Sequence, residues 1–136
     1  MLTPKGLRSL SPKSGLYHPY YGSDAVERER ALFNGIVWPS TITAYSRAYM
    51  SVYKYSGTSF MERILVGFEA EMDELTIGTL NEFYEPNPPY RGRGGMSSAP
   101  SVAAVISLLD TLKKYEREER EKNAAELLKE ESEAQQ

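Results

Sequence analysis

The residues best equipped for chemistry in this chain are carboxylates, and Glu69, Glu71, Asp73 and Glu74 crowd together on one short segment. Acids on one helix could help to hold a pair of metal ions. A di-metal carboxylate site, however, wants Glu-x-x-His repeats on facing helices, and none occurs. The four acids read instead as a solvated face, and no metal ligand is assigned. General acid–base work most often uses histidine. The sequence has one, His18, placed before Pro19 in a turn-rich segment where positioning is poor. A Ser-His-Asp triad would need that same imidazole, and no G-x-S-x-G occurs. The absence of cysteine removes a thiolate nucleophile, a thiolate zinc site and any disulfide. No catalytic, cofactor-binding or metal residue is therefore assigned, and the expectation is a protein that is not an enzyme.

Other constellations suggest binding. Gly92-Arg93-Gly94-Gly95 resembles a phosphate loop only superficially, because it lacks G-x-x-x-x-G-K-[ST] and does not sit between a strand and a helix start. With Arg91 it also looks like one unit of an arginine-glycine tail, but such tails work through many copies, and a flexible linker is preferred. Pro86-Asn87-Pro88-Pro89-Tyr90-Arg91 has the P-x-x-P-x-R form of a polyproline ligand. An ordered boundary loop threading past a neighbour is preferred to it. Tyr45, Tyr49 and Tyr53 recur at four-residue steps and could stack bases. With only Arg47 and Lys54 nearby, they read as a half-buried packing face.

These residues must be carried by elements that the pattern predicts to be mostly α. In residues 59–75, Met61, Ile64, Leu65, Phe68, Met72 and Leu75 recur at helical spacing, and Ser59 with Glu62 has the form of a capping box. The helix is expected to continue to about Tyr84, with a kink at Gly78. Ser23-Asp24 opens an earlier helix and Asn34-Gly35 closes it, with Val26, Leu32 and Phe33 as its inward residues. Trp38 reads as a core or interface anchor. Residues 40–55 mix helix and strand signals, and their length favours helix.

Residues 1–22 hold three X-Pro pairs and three glycines, so no helix or central strand fits. They carry Lys5, Arg8 and Lys13 and no acid, within a chain of net charge −3. An extended basic arm is expected, anchored on an acidic neighbouring surface by Tyr17, Tyr20 and Tyr21. Residues 23–84 would form a helical body, and residues 85–100 a Pro/Gly-rich loop or hinge, with Pro88, Pro89, Tyr90 and Arg91 facing a partner. Residues 101–136 would form a long helix, capped by Ser101 and apolar through Val102, Val105, Ile106, Leu109 and Leu112. Beyond these it is charged, with Glu116–Arg120 and Glu118–Lys122 in favourable order. If unbroken it would be about 45–50 Å long at about 1.5 Å per residue.

The longest apolar run, residues 102–109, is far short of the roughly 20 residues that a transmembrane helix needs. No secretory leader opens the sequence. A soluble, intracellular protein, or one within a virion or other large particle, is therefore expected. Arm, hinge and charged helix together favour a non-catalytic structural or assembly subunit of a multi-protein particle, a phage or viral virion component above all. Its partners would be other protein subunits in a homo- or hetero-oligomer. A nucleic-acid-binding accessory protein is the alternative, using Lys5, Arg8, Lys13, Arg91 and Arg93 with the tyrosines. An assembly chaperone or scaffold is a further one.

Overall fold

Short β-prone runs and longer amphipathic ones alternate in this chain, and the computed structural model, which describes residues 1–73 and 77–134, shows both in use. In chain order come β1 (Leu2–Thr3), β2 (Gly6–Arg8), α1 (Ala25–Asn34), β3 (Val37–Trp38), a 3-10 turn (Pro39–Thr41) and α2 (Ile42–Tyr53). A second 3-10 turn (Lys54–Gly57), α3 (Thr58–Met72), β4 (Phe83–Tyr84), β5 (Gly92–Arg93) and α4 (Ala99–Ala134) follow. The molecule is mostly α, with one small antiparallel sheet of order β1-β2-β3-β4-β5. Its register pairs Leu7 with Trp38, Val37 with Tyr84, and Phe83 with Arg93.

The sheet corrects the reading of the N-terminal segment. β2 is not an arm: it lies between β1 and β3. Strands of two or three residues need only a few donors, so the prolines that forbid a long strand sit harmlessly between and after them. Two of the segment's three cations are engaged within the chain. Lys5 Nζ lies 2.8 Å from Glu71 Oε1 and donates to the Gly67 carbonyl at 2.6 Å, with its side chain only 9% exposed. Arg8 Nη2 donates to the Pro86 carbonyl at 2.7 Å. The acid that Lys5 meets thus belongs to its own chain. Glu71 is correspondingly half-buried and ion-paired rather than solvated.

Ile42, Met50, Met61, Ile64, Phe68, Leu80, Ala104, Val105, Leu108 and Leu112 form the main core, contributed chiefly by α2, α3 and α4. The helical stripe on α3 buries Met61, Ile64 and Phe68, as expected. Removing the Phe68 ring would cost about 3–5 kcal/mol in transfer and cavity terms. The capping box does not form. Gly57 is the N-cap and the chain arrives already turning through 3-10 geometry, so Ser59 is the second residue of the helix and cannot cap it.

Nor does α3 run on to Tyr84. It ends at Met72, whose carbonyl accepts the Gly78 N–H at 3.0 Å, and Phe83–Tyr84 is a strand. Glu74 and Leu75, on the expected helix, lie outside the described residues. Within residues 40–55 the helix α2 does form, and it ends where Lys54 turns to φ 52°.

On α1 the expected ends hold, with Asp24 as N-cap and Gly35 as C-cap, but the inward face is different. Ala31 is buried and Leu32 half-buried, whereas Val26 and Phe33 are exposed. On α4 the buried face is Ser101, Ala104, Val105, Leu108, Thr111 and Leu112, so Ile106 and Leu109 point away from the core. Small and polar residues that a hydrophobicity pattern discounts, Ser101, Ala104 and Thr111, mark the face where α4 packs closest. The helix continues as a solvated rod to Ala134, about 54 Å in all for its 36 residues at about 1.5 Å each. Of the expected ion pairs, Glu116–Arg120 forms at 3.5 Å. Lys114–Glu118 and Lys122–Glu126 take up Glu118 and Lys122 separately.

Candidate functional site

The Gly-rich segment read as a flexible linker is an ordered hairpin. β4 and β5 pair across it, and Arg93 Nε and Nη2 both donate to Glu85 Oε1, at 2.9 and 2.6 Å. Its glycines are there for space. A Cβ on Gly92 would collide with the Asn81 side chain. At Gly94, where φ is +72°, a Cβ would lie 2.5 Å from the Phe83 ring and 2.7 Å from Glu82 Oε2. The preceding P-x-x-P-x-R stretch folds as a turn: the Tyr90 N–H donates to the Asn87 carbonyl at 2.8 Å, and Tyr90 sits at φ 57°, outside the polyproline region.

This hairpin builds one wall of a cleft of about 480 Å³, lined by Trp38, Ser40, Glu82, Gly95, Ser97, Ser98 and the first turn of α4. Each wall is fixed by local chemistry. Trp38 leaves β3 with its indole Nε1–H donating to the Leu32 carbonyl at 2.8 Å and its ring 5.1 Å from that of Phe83. Glu82 precedes β4. Its N–H donates to the Gly95 carbonyl at 2.9 Å, and its Oε2 accepts the Gly95 N–H at 3.1 Å. Ser98 Oγ accepts the Ser101 N–H at 3.4 Å, which caps α4 one turn earlier than the expected Ser101. Ser101 Oγ in turn donates to the Glu82 carbonyl at 3.2 Å, tying the start of α4 to the acid.

The cleft therefore offers an aromatic side chain, a solvent-exposed carboxylate and several hydroxyls. That composition can hold a cyclic polyol: hydroxyls and carboxylate for its polar edge, an aromatic ring for the C–H face of its ring. Glu82 is the only acid among the lining residues. Sequence reasoning passed over it, since Glu82 stands alone and no motif in the sequence marks it. The signal lay in the glycines after Arg91, which are there to let the backbone approach Asn81, Phe83 and Glu82.

None of the residues expected from the sequence to face a partner lines this cleft, although Trp38, Gly95 and Ser101 do. Tyr17 is half-buried against Gly35, Tyr21 packs edge-on to Phe83 at 5.0 Å, and Tyr20 is exposed. Pro88, Pro89 and Arg91 are exposed on the hairpin turn beside half-buried Tyr90. Val105 and Leu112 are core, Val102 is half-buried, and Ile106 and Leu109 face outward. Tyr45, Tyr49 and Tyr53 stack on one another along α2, at 5.9 and 4.4 Å between ring centroids, and Phe60 of α3 joins Tyr49 at 5.1 Å. Among the described residues no group of three or more His, Asp or Glu gathers as a metal site would, and no helix is long and apolar enough to cross a membrane.

Residues 1–107 match the family model described as amylo-alpha-1,6-glucosidase. That segment includes every residue of the cleft. No curated protein and no solved structure matches the chain. The family match overturns the expectations of a non-catalytic assembly subunit, of a virion component and of a protein that is not an enzyme. Those rested on protruding ends and on a search for histidine and motif-based catalysis. A glycosidase needs neither, because paired carboxylates suffice for its chemistry.

Proposed function

Because the chain belongs to the amylo-alpha-1,6-glucosidase family, we propose that the Trp38–Glu82 cleft binds a glucose unit at an α-1,6 branch of a glucan and that Glu82 takes part in its hydrolysis. The bond between the anomeric carbon and O6 breaks, water supplies the hydroxyl to the anomeric carbon, and a proton goes to O6. Such hydrolysis uses one carboxyl group as acid on the leaving oxygen and a second carboxylate that activates water or attacks the sugar.

Glu82 fits the second kind of role. It is open to solvent, so water can reach it, and its Oε2 already accepts a hydrogen bond from a backbone N–H. The acid that protonates O6 would come from outside the lining of this cleft. Trp38 would carry the apolar face of the sugar, and Ser40 and Ser97 its hydroxyls.

The observation that carries this reading is the meeting of one aromatic ring, one carboxylate and a hydroxyl-rich rim on a single sugar-sized cleft within the family segment. Glu82→Gln keeps the shape and removes the base. Glucose release from an α-1,6-linked glucan should then fall about a thousandfold, and hydrolysis at the wild-type rate would contradict the assignment. Contact with another protein surface is a further part of the proposal. Ile106 and Leu109, exposed on α4 beside the core face, are the apolar residues that would make it.

A further inference from the structure

Phe33 is 71% exposed at the end of α1. It is not idle there. Its plane lies within 17° of the Trp38 indole, with ring centroids 6.4 Å apart. Phe83 meets the same indole at 5.1 Å but is itself buried. The indole is held in place by its bond to the Leu32 carbonyl, one residue before Phe33, so the two rings are set by the same turn of backbone. Phe33 is absent from the cleft lining. It therefore stacks on Trp38 from outside the cleft rather than filling it.

We propose that Phe33 forms an outer subsite of the glucan cleft, packing against the glucose unit next to the one held at Trp38 and Glu82, and so selecting chains over single sugars. The proposal rests on the glucan reading of the cleft. A pyranose buries its C–H face on an aromatic ring, and two near-parallel rings in succession suit two successive units of one chain. The exposed apolar area at Phe33 is then covered only when a chain is present. Phe33 acts by positioning and discrimination, not on the reacting bond.

Calorimetric titration with glucose and with an α-1,6-linked glucose trimer tests this on the wild-type protein, Phe33→Ala and Phe33→Tyr. The wild type should prefer the trimer. In Phe33→Ala that preference should shrink about tenfold, the scale of one aromatic contact. In Phe33→Tyr, which keeps the ring, it should be restored. Under turnover, KM for the chain should rise in Phe33→Ala by a larger factor than kcat falls. Circular dichroism guards against misfolding, which is not expected for so exposed a side chain. An unchanged preference in folded Phe33→Ala, with glucose still bound by the wild type, overturns the outer subsite and leaves the cleft reading standing. A wild-type protein that binds neither sugar overturns both.

Discussion

Glu82 and Gly95 hold each other twice: the Glu82 N–H donates to the Gly95 carbonyl at 2.9 Å, and the Gly95 N–H donates to Glu82 Oε2 at 3.1 Å. The carboxylate proposed to activate water is thus oriented by the backbone that follows β5. Backbone donors suit this task because they have no rotamers to lose.

The hairpin in turn depends on Arg93, whose two donors converge on Glu85 Oε1. Arg93→Ala should leave the fold nearly as stable, since the pair is partly solvated and such pairs contribute up to about 1 kcal/mol. It should nevertheless lower kcat about tenfold by loosening Glu82, because small misplacements of catalytic groups are costly. Gly94→Ala should be worse on both counts, as its Cβ would press on Phe83 and Glu82 from a left-handed backbone. Steady-state kinetics beside chemical denaturation separates the two effects. Full kcat in Gly94→Ala would break the link between loop and acid.

The Lys5–Glu71 pair fixes the first hairpin onto α3, and both side chains are nearly enclosed, at 9% and 14% exposure. Lys5→Ala strands the Glu71 carboxylate in poorly hydrated surroundings. A loss of about 3 kcal/mol is expected from urea unfolding. Double replacement by Met at Lys5 and Leu at Glu71 should recover much of it, because two apolar groups leave no uncompensated charge.

Alkaline pH should weaken the fold through Tyr84. Burial, and secondarily the charge of Glu71, hold its hydroxyl above the ordinary tyrosine value. Tyr45 is raised in the same direction, by burial first and then by Tyr49 and Tyr53. A tyrosine that keeps its proton longer when folded adds stability that is fully present below about pH 10 and is lost as pH rises beyond it. Denaturation midpoints measured from pH 8 upward should therefore fall above about pH 10, and Tyr84→Phe should flatten that fall. The variant should also cost about 1 kcal/mol at neutral pH, since the Asn81 N–H then loses its acceptor, Tyr84 Oη at 3.3 Å. An unchanged alkaline slope in Tyr84→Phe would remove Tyr84 as the cause.

The helices were legible in part, α1 by its caps and α3 by its periodicity. Asp24 and Gly35 bracket α1, and Met61, Ile64 and Phe68 mark α3. The sheet was not, because strands of two or three residues leave no alternation to read, and their pairing joins positions as distant as Val37 and Tyr84. Phe83 and Tyr84 also fitted the apolar face of a continued helix, so the wrong period won there. The site was harder still. Trp38 was recognised as an anchor, but Glu82 carries no motif, and its meaning comes only from the fold that sets it beside Trp38, Gly95 and the start of α4.

Trp38 is the only tryptophan in the sequence, so its emission reports on the cleft without interference from a second indole. The account predicts that an α-1,6-linked glucose disaccharide changes Trp38 fluorescence saturably in the millimolar range or below, that a linear polyol such as sorbitol does not, and that Glu82→Gln still shows the change while no longer releasing glucose. Emission indifferent to the disaccharide, in a protein that nevertheless hydrolyses it, would place the reaction away from the Trp38–Glu82 cleft and contradict the account.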